Sequence, residues 1–299
     1  MSVNKVKVLV LGQSGMLGHM VMRVFKENSK LAVFGTQMSD RAKPGYFNIL
    51  EGKQGLQRIF KKHGGFDYCI NCIGLTSNKI NENDRSSVKK ARLINTVFPW
   101  QLAKVAQAYG CKVIHISTDG VFRGTKPSYD ENSRPDCVDV YGRTKLAGEV
   151  IADNFLTIRC SILGPSPYEH AGLWEWFVSL PAGSHVRGFV NHIWNGVTTL
   201  QFGRLCQAII LKGCFSALRG KSSIYHFAPN KPLSKFALLE VLKCSLKKNV
   251  EIERSVQGRG KLSRILRSRF RGLRELLPYG MTMRQAINQL LIYERKKHG

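Results

Sequence analysis

Apolar and polar positions in the first half of the chain form two alternating kinds of segment. Continuous apolar runs of strand length lie at residues 6–11, 31–35, 66–73, 112–117 and 156–160. Segments with helical spacing of apolar residues lie at 16–28, 87–109 and 141–153. Strands that alternate with helices pair in parallel through right-handed crossovers. We therefore predict an α/β fold with a doubly wound parallel sheet of the Rossmann type.

The alternation stops near residue 160, where Gly164, Pro165 and Pro167 indicate a loop. We predict a nucleotide-binding Rossmann domain over residues 1–165. A segment at about 192–228, with a helix at 198–211 and a strand at 224–228, is expected to return to it. Residues 166–191 and 229–299 would form a smaller C-terminal α/β lobe that binds substrate.

Composition narrows the class of protein. The chain has 299 residues, of which 43% are hydrophobic, and this is enough for a large buried core. No apolar run approaches the roughly 18 to 20 residues of a membrane span. The polar start does not resemble a secretory leader, so we expect a cytoplasmic protein. Eight cysteines show no disulfide rhythm, and the Cys69–Cys72 pair lies in a predicted strand without further ligands, so we predict no metal.

A formal net charge of +26 indicates an anionic partner. Much of this charge lies between Arg259 and Arg274, although a solvated helix face would explain that stretch equally well. No aromatic-interleaved or zinc-finger pattern accompanies it, so we do not expect nucleic acid. Phosphorylated cofactors and nucleotide substrates remain as candidate anionic partners.

Three glycines follow the first predicted strand directly. Gly12, Gly15 and Gly18 open the first predicted helix, where glycine permits a tight turn and close approach of a pyrophosphate. The N–H groups of a helix N-terminus favour phosphate. We therefore predict a dinucleotide site at this loop.

The end of the second predicted strand bears on the choice of dinucleotide. A site selective for NAD usually carries Asp or Glu here for the ribose 2′-hydroxyl. This chain has Thr36, with Arg41 close behind. We predict NADP(H), with NAD(H) as the alternative; Arg41 as an ordinary loop residue is the competing interpretation.

Tyr141 and Lys145 are candidates for acid–base chemistry. Residues four apart share a helix face, so both side chains would point into one cleft. A nearby ammonium is expected to lower the pKa of a phenol and make Tyr141 a usable general acid. Thr118 follows a predicted strand at the sheet edge where ligands bind, so its hydroxyl can face a substrate carbonyl.

These motifs together resemble the extended short-chain dehydrogenase/reductase family, and are most similar to the dTDP-4-dehydrorhamnose reductases and their sugar-nucleotide relatives. The resemblance rests on residues 12–18, 71–74, Asn95, 117–122 and 141–149, and weakens beyond about residue 165. Within it, Asn48 and Ile49 stand where many relatives have an acidic residue, and Gly120 stands where tyrosine is common. These departures leave the sugar and the nucleotide open, with Arg264 or Arg267 as candidate phosphate clamps.

The resemblance implies roles for individual residues. Thr118, Tyr141 and Lys145 would be catalytic, with Asn95 in support, although a buried asparagine that caps backbone groups is an equally good explanation. Cofactor contacts would come from Gly12, Ser14, Gly15, Met16, Leu17, Gly18, Thr36, Arg41, Asn48, Ile49, Cys72, Ile73, Gly74, Tyr141 and Lys145. Substrate contacts would come from Thr76, Asp119, Asn191 and Asn195.

The implied activity is NADPH-dependent reduction of the 4-keto group of a nucleotide-linked 4-keto-6-deoxy sugar, in polysaccharide sugar biosynthesis. One alternative is a non-catalytic, cofactor-binding regulatory subunit of the same fold, and another is a sugar-nucleotide epimerase. A dehydratase is disfavoured because no Asp-Glu pair follows Thr118. A homodimer is a further expectation.

Overall fold

The computed structural model describes residues 4–38, 41–42, 45–168, 170, 172–258 and 260–296. The strands are β1 (Val6–Leu11), β2 (Leu31–Gly35), β3 (Tyr68–Asn71), β4 (Lys112–Ser117), β5 (Phe155–Arg159), β6 (Ile162–Leu163), β7 (Ser184–Phe189), β8 (His192–Trp194), β9 (Val197–Thr198), β10 (Ile224–His226), β11 (Leu233–Ser234), β12 (Val250–Ser255) and β13 (Leu262–Arg264). The α-helices are α1 (Met16–Lys26), α2 (Gly52–Lys62), α3 (Arg85–Arg92), α4 (Phe98–Ala108), α5 (Val140–Ala147), α6 (Leu173–Ser179), α7 (Thr199–Leu211), α8 (Phe215–Lys221), α9 (Lys235–Leu246) and α10 (Met283–Arg295).

Six strands form one parallel sheet in the order β10-β5-β4-β3-β1-β2. Its central strands are apolar on both faces, as a sheet covered by helices on two sides requires; Val8 to Leu11 are at most 1% exposed. The strand order reverses between β1 and β3, and the crevice at such a point is where ligands bind in open α/β sheets. The predicted doubly wound α/β fold is confirmed.

Two apolar layers cover the sheet. On one face, α1 and α7 pack together and join the lobe helices α9 and α10 in the largest buried cluster. On the other face, α2 and α4 cover Leu9, Leu11, Cys69 and Val113. The sheet thus holds its carboxyl edge rigidly between two packed layers, which is the support that a catalytic site needs.

The long helix predicted at 87–109 contains an irregular turn. Between α3 and α4 the chain makes a π-helical turn over Leu93–Val97, which contains the buried Asn95. Pro99 has no N–H to donate to the Asn95 carbonyl four residues earlier, so the regular pattern is interrupted there. The freed carbonyl faces Gly148, where a Cβ would lie 1.9 Å from the Asn95 oxygen.

The C-terminal lobe is built on short strands. β8 lies between β11 and β13 in a three-stranded sheet, and β7 pairs with β12. Within the segment expected to return to the first domain, β10 joins the large sheet beside β5 and α7 packs on α1, whereas β8 belongs to the lobe sheet. The division of the chain into two domains stays a prediction.

In the described part of the chain, no helix has both the length and the apolar character needed to cross a bilayer. All eight cysteines are free thiols.

Candidate active site

The glycine loop is a tight turn that only glycine fits at two positions. Gly12 has a φ of 81°. A Cβ on Gly18 would lie 2.0 Å from the Gly12 carbonyl oxygen, so α1 packs directly on the loop backbone. The Gly12 N–H donates to the Thr36 hydroxyl over 3.1 Å and the Gln13 N–H donates to the Thr36 carbonyl over 2.8 Å. Thr36 therefore ties the end of β2 to the loop.

The start of α1 offers donors without a protein acceptor. Its N-cap residue, Gly15, makes no side-chain capping bond, and the first turn carries no acidic residue. Among the described residues no backbone acceptor is found for the N–H groups of Met16 and Leu17. Free N–H groups at a helix N-terminus suit a phosphate. Ser14 lies within the same turn, so the predicted phosphate-contacting residues are adjacent in space.

The predicted adenosine side lies beyond β2. Arg41 is exposed. The Asn48 side chain caps the short helix Ile49–Glu51 by accepting from the Leu50 N–H over 3.0 Å, and Ile49 packs in the apolar layer with α2 and α4. Residues 39–40 and 43–44, which include Lys43 beside Arg41, lie outside the described residues.

The loop after β3 lies between the glycine loop and α5. The Cys72 N–H donates to the Leu11 carbonyl, and the Ile73 N–H donates to the Asn71 side chain. A Cβ on Gly74 would lie 3.7 Å from Asn95 Oδ1 and 3.9 Å from Lys145 Nζ. Gly74 is therefore the point where loop and helix approach each other.

Asn95 fastens this loop in place. Its amide exchanges two hydrogen bonds with the Leu75 backbone, at 2.8 and 2.9 Å, and donates a third to the Thr144 hydroxyl. Asn95 thus holds the loop against α5.

Thr118 and Tyr141 lie side by side at the carboxyl edge of β4. Thr118 caps a short helical turn by accepting from the Gly120 N–H over 3.0 Å, and its hydroxyl is within hydrogen-bonding reach of Tyr141. A Cβ on Gly120 would lie 3.2 Å from Thr118 Oγ1 and 3.3 Å from Tyr141 Cε1. Glycine at 120 therefore lets the Tyr141 ring pack closely against this hydroxyl.

The two titratable groups of α5 are both shifted by burial. Burial raises the pKa of Tyr141 to about 12, and the Thr118 hydrogen bond opposes this only in part. The Lys145 ammonium donates to the Ile116 carbonyl over 2.7 Å. Burial lowers the pKa of Lys145 to about 8, against the attraction of Glu149. The expectation that Lys145 lowers the pKa of Tyr141 was wrong, because burial dominates at Tyr141.

Glu149 supports the positions of Ser117 and Arg159, although the sequence analysis gave it no role. Its carboxylate receives two bonds from the buried Arg159, at 2.8 and 2.6 Å, and one from the Ser117 hydroxyl at 2.6 Å. The spacing was a usable signal, since Glu149 follows Lys145 by four residues. This ion pair links α5 to the ends of β4 and β5.

The predicted substrate residues fall into two groups. Asp119 is buried beside Thr118, while Thr76 is exposed and donates to the Asn78 side chain. Asn195 instead uses both ends of its amide on the Leu266 backbone, at 2.8 and 2.9 Å. Asn191 likewise hydrogen-bonds to the backbone of Gln257 and of Gly260. The amides of Asn191 and Asn195 thus fasten lobe segments to each other.

Burial also raises the pKa of the Asp119 carboxyl, and the cations Arg264 and Lys235 oppose that rise. The carboxyl therefore lies near two positive charges. Among the described residues, no group of three or more His, Cys, Asp or Glu side chains is placed to hold a metal ion.

The arrangement has counterparts among known proteins. A family model described as the RmlD substrate binding domain matches residues 6–170. Methionine adenosyltransferase 2 subunit beta of Xenopus tropicalis is 39% identical over 147 residues, which are 48% of this chain and 41% of that protein. A dTDP-4-dehydrorhamnose reductase of Mycolicibacterium smegmatis is 32% identical over 149 residues, 48% of this chain and 40% of that one. The match thus spans about two fifths of these relatives.

Solved structures match over nearly the whole chain. A dTDP-4-dehydrorhamnose reductase of Bacillus anthracis, in complex with NADP, superposes with a TM-score of 0.77 at 17% identity, covering 97% of this chain and 99% of that one. A dTDP-4-dehydrorhamnose reductase of Clostridium acetobutylicum superposes with a TM-score of 0.76 at 17% identity, covering 97% of this chain and 100% of that one. At such identity the likeness shows that the fold is shared, including the C-terminal lobe.

Proposed function

The chain belongs to the RmlD substrate binding domain family, and from this premise we propose that it is an NADPH-dependent reductase of a nucleotide-linked 4-keto-6-deoxy sugar. The observation that carries the proposal is the meeting of two halves of a site. Thr118, Tyr141 and Lys145 converge at the carboxyl edge of β4, and Gly74 brings the glycine-loop side of the sheet to within contact of Lys145.

The residues of the glycine loop fit a dinucleotide. The free N–H groups of Met16 and Leu17, the tight turn at Gly12 and the absence of an acid from the first turn of α1 all favour a pyrophosphate. Cys72, Ile73 and Gly74 would lie along the nicotinamide half. NADPH, when bound, supplies the hydride.

Tyr141 would donate the proton that the reduced carbonyl oxygen needs. A general acid must hold its proton at working pH, and a pKa of about 12 ensures that it does. Thr118 would hydrogen-bond the same oxygen as negative charge develops on it. Lys145, with a pKa of about 8, is mostly protonated at neutral pH and suited to passing a proton towards Tyr141.

The substrate would lie between this edge and the lobe. Asp119 borders the catalytic hydroxyls and Thr76 lies on the loop beyond Gly74. Both would contact the sugar ring in this proposal. Asn191 and Asn195 would act indirectly in this proposal, by fixing lobe segments against each other.

A panel of nucleotide-linked 4-keto sugars, with NADPH absorbance as readout, tests the proposal. We expect turnover of at least one panel member, and a fall of about 10²- to 10⁴-fold in kcat for Tyr141→Phe. Tyr109→Phe, at an exposed tyrosine outside the site, should keep full activity. Full activity in Tyr141→Phe would disprove the assigned acid, and an unchanged sugar skeleton with net epimerisation would indicate an epimerase instead.

A second function is favoured by a specific observation: several of the matching relatives are methionine adenosyltransferase 2 beta subunits. The chain could bind the cofactor as a regulatory subunit without turnover. Tight NADPH binding with no oxidation across the whole panel would favour this role over the reductase.

A further inference from the structure

A polar cavity of about 380 Å³ lies outside the glycine loop and the catalytic edge. Its walls come from two segments, residues 128–133 and 267–274, and three arginines line it, Arg267, Arg269 and Arg274. The volume is within the range of sites that hold small molecules. The cavity is therefore a candidate ligand site that the proposed reaction does not use.

The cavity lies at an edge of the large sheet. β10 is the outermost strand on that side, and His226 in β10 donates from its ring Nδ1 to the Arg267 carbonyl over 3.0 Å. The Arg267 N–H donates in turn to the Tyr129 carbonyl over 2.8 Å. The backbone at Arg267 is thus held between β10 and the segment 128–133.

The neighbouring acid Glu131 fixes this wall through hydrogen bonds. One of its carboxylate oxygens accepts from the His226 N–H over 2.9 Å and from the Ser268 hydroxyl over 2.6 Å. The other oxygen accepts from the main-chain N–H of Arg269 over 2.8 Å. In the described part of the chain, none of the three guanidinium groups forms an ion pair with a carboxylate. The arginine backbone is therefore held firmly, while the guanidinium groups stay available to an anion.

Arg274 is held in position before any ligand binds. Its Nη2 donates to the Ser268 carbonyl over 3.3 Å, and its guanidinium carbon lies 5.4 Å from the centre of the Tyr279 ring. A cation over an aromatic ring is stabilised by the negative face of that ring. A side chain that is already fixed loses less conformational entropy when a ligand binds, so Arg274 is preorganised.

Asp130 adds a carboxyl to the wall of the cavity. Its Oδ1 accepts from the Asn132 N–H over 3.1 Å and from the Ser133 hydroxyl over 3.0 Å. Burial raises the pKa of Asp130, but these hydrogen bonds and then the nearby charge of Arg269 lower it overall, so the carboxyl is ionised at neutral pH. Three guanidinium groups and one carboxylate leave a net charge of about +2 at the cavity.

We propose that this cavity binds the phosphate group of a small phosphorylated molecule, at a site separate from those for cofactor and substrate. A phosphate monoester carries a charge of about −1.5 to −2 at pH 7, which matches the surplus of positive charge. Guanidinium groups bind phosphate oxygens in pairs through a planar fork of donors. Ser128 and Ser133, which also line the cavity, offer hydroxyl groups to the rest of a hydroxylated ligand such as a sugar phosphate.

The test is calorimetric titration of the full chain, saturated with NADPH, with glucose 1-phosphate, inorganic phosphate and glucose. Prior saturation with NADPH keeps phosphate out of the glycine loop. We expect glucose 1-phosphate to bind more tightly than inorganic phosphate, because the cavity has room for more than a phosphate group, and we expect glucose not to bind. Calorimetry measures binding directly, so the result is valid whether or not the chain is a reductase.

Variants of the lining residues locate the site. Arg269→Met and Arg274→Met should each weaken the binding of glucose 1-phosphate about tenfold, as expected for a charged hydrogen bond partly screened by water. Asp130→Asn should tighten it about threefold, because the change removes a negative charge and keeps the oxygen that accepts the two hydrogen bonds. Arg271→Met is the matched control, since Arg271 is an exposed arginine of the same segment outside the lining of the cavity, and the affinity should stay unchanged. Thermal unfolding of each variant checks that a loss of binding is not a loss of fold.

Any of three results would overturn the proposal. The first is that the wild-type chain does not bind glucose 1-phosphate at millimolar concentration. The second is an equal loss of affinity in Arg271→Met, which would indicate unspecific attraction to a basic surface. The third is unchanged affinity in both Arg269→Met and Arg274→Met, which would place the bound ligand elsewhere in the molecule.

Discussion

The glycine loop of the large sheet and the group of Trp194, Lys235 and Arg264 on the lobe sheet present hydrogen-bond donors in different ways. At the loop the donors are backbone N–H groups of consecutive residues, and no charged side chain is needed. In the lobe they are side chains from three separate segments, and two of them are cations. The first arrangement depends on backbone shape and the second on side-chain charge.

This difference determines which changes each region tolerates. A backbone site fails when a Cβ appears where glycine is required, and neutral surface changes around it have little effect. A side-chain site keeps its shape when a cation is replaced by methionine but loses the attraction. Substitutions that act in one region and not in the other therefore test the comparison.

The largest effect is expected for Gly18→Ala. Its Cβ would lie 2.0 Å from the Gly12 carbonyl oxygen and 2.7 Å from the carbonyl carbon, and neither backbone atom can move aside cheaply. We expect a loss of about 3 kcal/mol in the free energy of unfolding and more than about 100-fold in NADPH affinity. Urea unfolding and fluorescence titration measure the two quantities.

Gly15→Ala is the control for this change. A Cβ there would meet the Gly12 oxygen at 3.5 Å, an ordinary contact, and the backbone at Gly15 is extended. The unfolding free energy should change by less than about 1 kcal/mol. Equal destabilisation by both variants would show that glycine is needed throughout the turn rather than at the crossing with α1.

The same contrast explains how far sequence reasoning reached. Gly12, Gly15 and Gly18 were recognised because their meaning is local: strand, turn and helix follow each other in the chain. Tyr141 and Lys145 were recognised for the same reason. Arg264 was only one of two candidate phosphate clamps and Lys235 was not considered. Both residues lie beside Trp194 only because β8 pairs with β11 and β13, and no local spacing encodes that pairing.

The tyrosine pKa illustrates a second limit. Helical spacing correctly placed Tyr141 and Lys145 on one helix, but it gave no measure of how deeply each group is buried. Burial raises the pKa of Tyr141 and lowers that of Lys145, and it outweighs the attractions of neighbouring groups at both positions. The spacing of residues along a helix indicates which side chains can lie close together, whereas the depth of burial decides their protonation state.

An intermediate effect is expected in the pH dependence of the reaction. Lys145 loses its proton as the pH rises through about 8, while Tyr141 keeps its proton to about 12. If the ammonium is required, kcat/KM should be flat below pH 8 and fall about tenfold per unit above it. A profile of kcat/KM between pH 6 and 10 measures this decrease on the alkaline side.

The Lys145→Arg variant tests whether Lys145 causes the fall in kcat/KM above pH 8. Arginine stays charged throughout this range, so any activity that the variant keeps should show no alkaline limb below pH 10. A limb that stays near pH 8 in an active variant would place the titrating group elsewhere, for instance on the substrate. The lobe cations do not enter this prediction.

The smallest effect concerns Arg41, the cation proposed for the 2′-phosphate of the cofactor. Arg41 is exposed, so a contact with a 2′-phosphate would be partly screened by water and be worth only about 1.4 kcal/mol. Arg41→Ala should therefore raise the KM for NADPH about tenfold and leave the KM for NADH unchanged. Arg92→Ala, an exposed arginine on α3, should change neither value. Equal losses for both cofactors would mean that Arg41 does not read the 2′-phosphate, and backbone donors alone would then account for binding in this half.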